Sequence, residues 1–530
     1  MRTGAKRRDG DGRPTRLVAL LATALLTGCG GTGPSPSLGS TPPGSTPMTL
    51  PEATSSTPSL APTPAETPGT SPLASLAPSA APSTSQDGMA ISAVPRASAD
   101  PALARTAASA VDAFGLALYR RLLAEPDVGL AAKNAVISPT SIGLALGMPL
   151  PGAKGATATQ MDAVLGTSGW SVHGPGLNAL EQALVSRDAS WTDETGDHAL
   201  ALRIANAAYG QAGWTIERPY LDAIKAAFGT GLRLADFAAD PGAARAAINA
   251  WVNGQTAGRI PQLLSPTDIT ALTRLVLVNA MYLKAGWEAP FFEQQTAPAS
   301  FTRLDGSTVQ VPTMHTMGGE GGGMRPIPYT SGTGWQAVEL RYRGGPGFDD
   351  APLAMTLVLP ADLASFEQHL TASQLGRITT ALEAQRASFE DFIPCPWAKA
   401  GDHPSCYPYA LRLDLPRFSI ETRADLKAPL QALGMPLAFD QAGADFSGIH
   451  VPQGGADRLF VSQVVHQANI DVDEHGTEAA AATAVIGGTG GGPGAAREIT
   501  LRLDHPFLFF VRDLATGAVL FMGRVTDPSA

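Results

Sequence analysis

Apolar residues recur at helical spacing early in the chain. Val111, Phe114, Leu118 and Leu122 fall at i, i+3, i+7 and i+11 and predict an amphipathic helix. "INAWVNGQTAGRIPQLL" (Ile248–Leu264) reads as a helix, a turn at Gly258 and a short extended piece. Farther along, the period changes. "RLVLVNAMYL" (Arg274–Leu283) is nearly all apolar, as expected of a strand covered on both faces. "LRLDLPRFSIE" (Leu411–Glu421) sets Leu411, Leu413 and Leu415 on one face, and Pro416 marks a bulge or a sheet edge. "PFLFFVRDLATGAVLFMGRV" (Pro506–Val525) is two apolar strands about a Gly-containing turn, the pattern of a hairpin. Helical patterns lead and strand patterns follow, which predicts an α+β fold.

One stretch fits none of these patterns. "DEHGTEAAAATAVIGGTGGGPGAAREI" (Asp473–Ile499) is alanine and threonine in its first half and mostly glycine in its second. A core strand would carry bulky β-branched or aromatic residues, and a helix would not run into GGTGGG. Its Gly490, Gly492 and Ala495 match a dinucleotide-binding spacing only weakly, since no apolar strand leads into them and Pro493 spoils a helix start.

Composition divides the chain. The first sixteen residues include Arg2, Lys6, Arg7, Arg8, Arg13 and Arg16, followed by the apolar run "LVALLATALL". This is the layout of a secretory signal, too short to stay in a bilayer as a spanning helix. The ending Leu26-Thr27-Gly28-Cys29 resembles a lipobox, so residues 1–29 are expected to be a lipoprotein signal with Cys29 lipidated, an ordinary cleaved signal being the alternative. Residues 30–100 hold fourteen prolines and no Phe, Trp or Tyr. They are expected to form a disordered tether, with its ends roughly 45 Å apart as a flexible coil and up to about 200 Å apart if stretched. Residues 101–530 have globular composition without a second break, and one large domain is expected.

Cys395 and Cys406, in "IPCPWAKAGDHPSCYP", are the other cysteines. So close a pair in an exported chain is expected to be a disulfide, two free thiols being the alternative. With 16% charged residues and a formal net charge of −10, nothing points to nucleic acid. There is no G-x-S-x-G elbow, no H-E-x-x-H and no Cys/His spacing for zinc, so neither metal nor cofactor is expected.

Four further segments bear on the anomalous stretch. "ISPTSIGLALGMPLPGAKGAT" (Ile137–Thr157), "NAMYLKAGWEAPF" (Asn279–Phe291), "HQANIDVDEHGTEAAAATAV" (His466–Val485) and "DHPFLFFVRDLATGAVLFMGRVTDP" (Asp504–Pro528) resemble the serpins, in the family's order. "LPRFSIETRADLKAPLQALGM" (Leu415–Met435) and "ADFSGI" (Ala444–Ile449) fit between them. The lipoprotein start, the segment 391–406 and the loop length depart from the family pattern.

The resemblance implies a large central β-sheet, two smaller sheets, surrounding helices and an exposed reactive-centre loop. It also implies suicide inhibition of a serine, or by the same chemistry a cysteine, endopeptidase, with no catalytic residue of the chain's own. On cleavage such a loop enters the sheet as a new central strand. Its hinge would be Glu474, Gly476, Thr477, Glu478, Ala479, Ala480, Ala481, Ala482 and Thr483. Side chains alternate along a strand, so Thr477, Ala479, Ala481 and Thr483 would share the buried face and Glu478 the solvated one.

By the same resemblance Ser138, Ser141, Asn279 and His466 match a polar "shutter" under the sheet. Trp287 matches a tryptophan where the loop enters, and Arg417 with Glu474 an ion pair at its hinge. The reactive bond is expected among Thr489, Gly490, Gly491, Ala495 and Ala496, which suits elastase-like or subtilisin-like proteases. Arg497 is the competing choice and would suit a trypsin-like one. A monomer is expected, lipid-anchored on the outer side of a bacterial membrane. Two rivals remain: a non-inhibitory serpin used as a binding protein or chaperone, and a lipoprotein hydrolase with a dispersed Ser/His/Asp set.

Overall fold

The computed structural model describes residues 83–84, 88–125, 129–193, 196–316, 327–346, 351–389, 393–396, 405–454, 457–477, 495 and 497–530. The signal segment with Cys29, most of the expected tether, Glu478–Thr483, Thr489, Gly490, Gly491 and Ala496 lie outside them. Among the described residues no helix is long and apolar enough to cross a membrane.

A nine-stranded sheet dominates the described residues. Seven of its strands matter here: β1 (Met89–Ile91), β2 (Gly196–Gln211), β3 (Leu232–Ala235), β4 (Leu275–Gly286), β5 (Phe418–Asp425), β6 (Val461–Val472) and β7 (Gly476–Thr477). Their spatial order is β1-β3-β2-β4-β7-β6-β5. A six-stranded sheet includes the C-terminal hairpin Phe507–Asp513/Val519–Val525. A four-stranded sheet includes Ala410–Pro416 and Glu498–Arg502.

Strand β4 shows why its sequence is apolar throughout. Leu275, Leu277, Met281, Leu283 and Ala285 enter the main core. Val276, Val278 and Ala280 pack on the other face against Ile248 and Val252 of helix Pro241–Gln255. Burying both faces removes any polar alternation. Beneath the sheet lies the fully buried α2 (Pro139–Gly147), with α1 (Pro101–Ala124) packed against it. Each starts with a proline after a capping side chain, Asp100 in α1 and Ser138 in α2.

Three expectations change. The folded part begins ahead of residue 101, because Met89 and Ala90 pair with Arg233 and Leu232 of β3. The piece after Gly258 forms no strand; Asn249 instead binds both the N–H and the carbonyl of Leu264. Pro416 is neither a bulge nor an interruption within one strand. It ends a strand of the four-stranded sheet, and after Arg417 the chain continues as β5 in the central sheet. Pro416 still pairs with Thr313, and the Arg417 N–H donates to the Pro312 carbonyl, so the crossing falls after Arg417.

Candidate functional site: the loop hinge and the sheet beneath it

The chain leaves β6 at Val472 and reverses within four residues. The Asp473 carboxylate accepts from the N–H groups of His475 (2.8 Å) and Gly476 (3.2 Å), an Asx-type turn. The returning residues form β7, antiparallel to both neighbours: Thr477 is opposite Val472 of β6 and Ala285 of β4, and Gly476 is opposite Gly286. Below this point β4 and β6 pair directly and in parallel, from Leu275 and Val461 to Met281 and Ala468. The two central strands are thus held apart at one end by the first two residues of the loop. Gly476 is required there: its φ is +153°, and a Cβ would lie 2.1 Å from the Ala285 carbonyl oxygen.

Trp287 forms the floor of this entry. Its indole Nε1 donates to the Asp473 carbonyl (2.9 Å) and its backbone N–H to the His475 carbonyl (2.7 Å). Its ring stacks on Tyr342 with centroids 4.5 Å apart. The Tyr342 hydroxyl meets Thr477 Oγ1 at 2.6 Å, so the buried threonine is already hydrogen-bonded on the core side. Arg417 donates from Nε (2.8 Å) and Nη2 (2.6 Å) to Glu474 Oε1, and the Thr296 hydroxyl donates to the same oxygen. Burial alone would raise the Glu474 carboxyl; the hydrogen bonds from Arg417 and Thr296 outweigh it and hold the group below its ordinary value.

Just past the middle of β4 and β6, counted from the loop entry, Asn206, Asn279 and His466 lie side by side on β2, β4 and β6. The Ser138 N–H donates to His466 Nε2 (3.1 Å), so the ring proton is on Nδ1, which donates to Asn279 Oδ1. Asn279 Nδ2 donates to Ser141 Oγ (2.7 Å) and Asn206 Oδ1 (2.9 Å). Ser138 and Ser141 belong to the buried start of α2. All four residues of the expected shutter therefore meet in one network that ties β4 to β6.

Burial pulls the His466 pKa down to about 3. A histidine kept neutral in the fold favours the unfolded chain once that chain protonates. Stability from this group is complete above about pH 6.5 and is lost progressively as pH falls toward 3. Wild type should therefore lose more melting temperature between pH 7 and 4.5 than His466→Gln does. Equal losses would show that His466 does not govern acid sensitivity.

At the distal end of the loop, Glu498–Arg502 pairs in parallel with Ala410–Asp414. The Arg497 carbonyl accepts from Ala410 N–H (2.8 Å), and its guanidinium lies 5.8 Å from the centre of the Tyr409 ring. Ala495 forms a backbone bridge with Tyr407. Cys395 and Cys406 are bonded to each other, closing a small hairpin of Ile393–Pro394 and Ser405–Cys406.

Tyr342, Asn206 and Thr296 also belong to this site and were missed in the sequence. Asn206 and Asn279 carried one usable signal. A lone asparagine inside an apolar strand, as in "IANAAY" and "LVNAMY", must find buried hydrogen-bond partners.

The class this defines is an α+β protein whose central sheet has its two middle strands wedged apart at one end by the first residues of a loop. A family model described as serpin (serine protease inhibitor) matches residues 109–528. Leukocyte elastase inhibitor A of Mus musculus is 32% identical over 427 residues, covering 79% of this chain and 99% of that protein. The leukocyte elastase inhibitor of Bos taurus is 33% identical over 411 residues, covering 75% and 94%. Among solved structures, native protease nexin-1 with heparin has a TM-score of 0.61 at 28% identity, covering 81% of this chain and 100% of that one. The thermophilic serpin tengpin in its native state, with a TM-score of 0.63 at 23% identity over 84% of this chain and 100% of that one, shows the fold alone. The chain belongs to the serpin family.

Proposed function

We propose that the protein is a suicide-substrate inhibitor of serine endopeptidases, with elastase-like enzymes as the favoured targets. The observation that carries this reading is β7, a two-residue strand already seated between β4 and β6. The protease serine attacks a loop carbonyl and the C-terminal part leaves as the amine. The loop's carbonyl carbon stays bound to the enzyme as an ester. Once cut, the loop can extend β7 downward. Continuing the observed register sets Ala479 between Leu283 and Ile470, Ala481 between Met281 and Ala468, and Thr483 between Asn279 and His466. The hydrogen bond between those last two side chains must open as the strand passes. About 16 residues at roughly 3.3 Å each would carry the protease some 50 Å, distorting its active site before water deacylates the ester.

Small residues upstream of Arg497 suit a shallow specificity pocket. Arg497 is a poor reactive residue, because its carbonyl is in the ladder to Ala410 and its guanidinium lies over Tyr409. The relatives' names point to the same target class. Incubation with leukocyte elastase should give an adduct that survives denaturing electrophoresis, and mass spectrometry should find the released peptide starting between Gly490 and Ala496. Clean cleavage without an adduct would mean a non-inhibitory member. A peptide starting at Glu498 would move the target to trypsin-like enzymes.

Export and lipid attachment at Cys29 complete the proposal, with residues 30 to about 82, ahead of the first strands, as the spacer that holds the inhibitor off a bacterial membrane. The basic start, the apolar run and the Leu-Thr-Gly-Cys ending support it. Cys29→Ser should move the protein from the membrane fraction to the soluble export. Unchanged fractionation would leave a plain signal peptide.

A further inference from the structure

The disulfide hairpin lies beside the distal end of the loop. The parallel ladder of Glu498–Arg502 begins at Ala410, and Pro408, lacking an N–H, cannot extend it. Nevertheless Tyr407 and Ala495 re-form a bridge in the same register, three residues farther out on both chains. Something else must hold Tyr407 in line. Cys406, its neighbour, is fully buried and bonded to Cys395. The Tyr407 ring meets Phe389 edge-on with centroids 6.4 Å apart, and Phe389 also packs on Tyr409 at 5.1 Å. Tyr409 is fixed in turn, its hydroxyl accepting from Tyr329 N–H at 2.8 Å. Arg497 lies over that same Tyr409 ring.

We infer that the disulfide hairpin, acting through Tyr407, is a positioning device for the distal flank of the reactive loop. It fixes where Ala495 sits, and so bears on which bond upstream of it an incoming protease cuts. The inference rests on the inhibitory reading above and adds a determinant of which bond is cut. An ångström-scale shift of a scissile bond costs as much as a hundredfold in reaction rate. Downward entry of the hinge occurs at the other end of the loop and should not depend on this clamp.

The test compares wild type, the double variant Cys395→Ala/Cys406→Ala, Tyr407→Ala and Tyr407→Phe, using leukocyte elastase as the probe. Three readouts are taken: the second-order rate of adduct formation, the N-terminus of the released peptide, and the rise in melting temperature on loop cleavage. The double variant and Tyr407→Ala should form adduct about ten- to a hundredfold more slowly. Their released peptides should begin at more than one residue, with the melting rise preserved. Tyr407→Phe, which keeps the ring contact with Phe389, should behave as wild type. A wild-type rate and a single peptide from both Tyr407→Ala and the double variant would overturn the inference. The Tyr407→Ala result stands alone if the double variant does not fold. If wild type gives no adduct, the inhibitory reading has failed instead. The spread of cleavage sites in the nicked variants then still decides the positioning role.

Discussion

Thr477→Arg is expected to turn the protein from a protease trap into a protease substrate. Thr477 is buried in β7, with Tyr342 Oη at 2.6 Å and the Trp287 ring stacked behind that tyrosine. The Thr477 hydroxyl is partnered by Tyr342, and the carboxylate of Glu474 in the adjoining turn is already paired with Arg417. A guanidinium there must either be buried unpaired, at about 3–5 kcal/mol, or keep β7 out of the sheet. In both cases the first step of insertion slows by roughly two to four powers of ten. Deacylation does not involve the sheet and keeps its rate, so hydrolysis wins the competition. The measurement is the number of inhibitor molecules consumed per protease silenced. It should rise steeply for Thr477→Arg and change little for Thr477→Ser, which keeps the hydroxyl. An unchanged stoichiometry in the arginine variant would mean that this face of the loop does not enter the sheet.

Cleavage of the loop between 489 and 496 should raise the melting temperature. Most proteins lose stability when nicked, because the cut releases chain entropy. Here the cut frees a strand. At present β4 and β6 share one parallel pairing from Leu275 to Met281, with β7 above it. An inserted loop would be antiparallel to both, as β7 already is, and would replace one parallel ladder by two antiparallel ones. About ten new backbone hydrogen bonds, at roughly 1 kcal/mol net each, amount to on the order of 10 kcal/mol. In a chain of this size that corresponds to a rise of on the order of 10–20 °C. The intact fold would then be a kinetically held state. A nicked protein that melts at or below the intact one would remove the driving force from the proposed mechanism.

The composition of the loop follows from the same register. On insertion in that register, even-numbered positions would face away from the main core, and Glu478 would sit beside Lys284 and Asp471 near solvent. Farther down, Ala482 and Ala484 would lie opposite Ala280 and Val278, which helix Pro241–Gln255 covers. Small residues are therefore needed on both faces at depth, and a charge is tolerated only near the entrance.

Much of this was present in the chain itself. The apolar run of β4, the C-terminal hairpin and the run of small residues after Gly476 are local patterns. Each states what kind of surface a segment can lie against. β2 was illegible, since "GDHALALRIANAAYGQ" is rich in alanine and has one β-branched residue, and its pairing partners override that weak preference. Pairing register cannot be read locally either. A strand's side chains repeat every two residues, so periodicity names a face and leaves open how far one strand slides along another. His466 and Asn279 are 187 residues apart in sequence, and only the completed sheet brings them together. Tyr342 under Thr477, and Tyr407 beside Ala495, are joined in the same way. What the sequence by itself determined was a loop able to become a strand. Tertiary structure decided which two strands would receive it and what it must pass, because those depend on contacts between segments that no local pattern links.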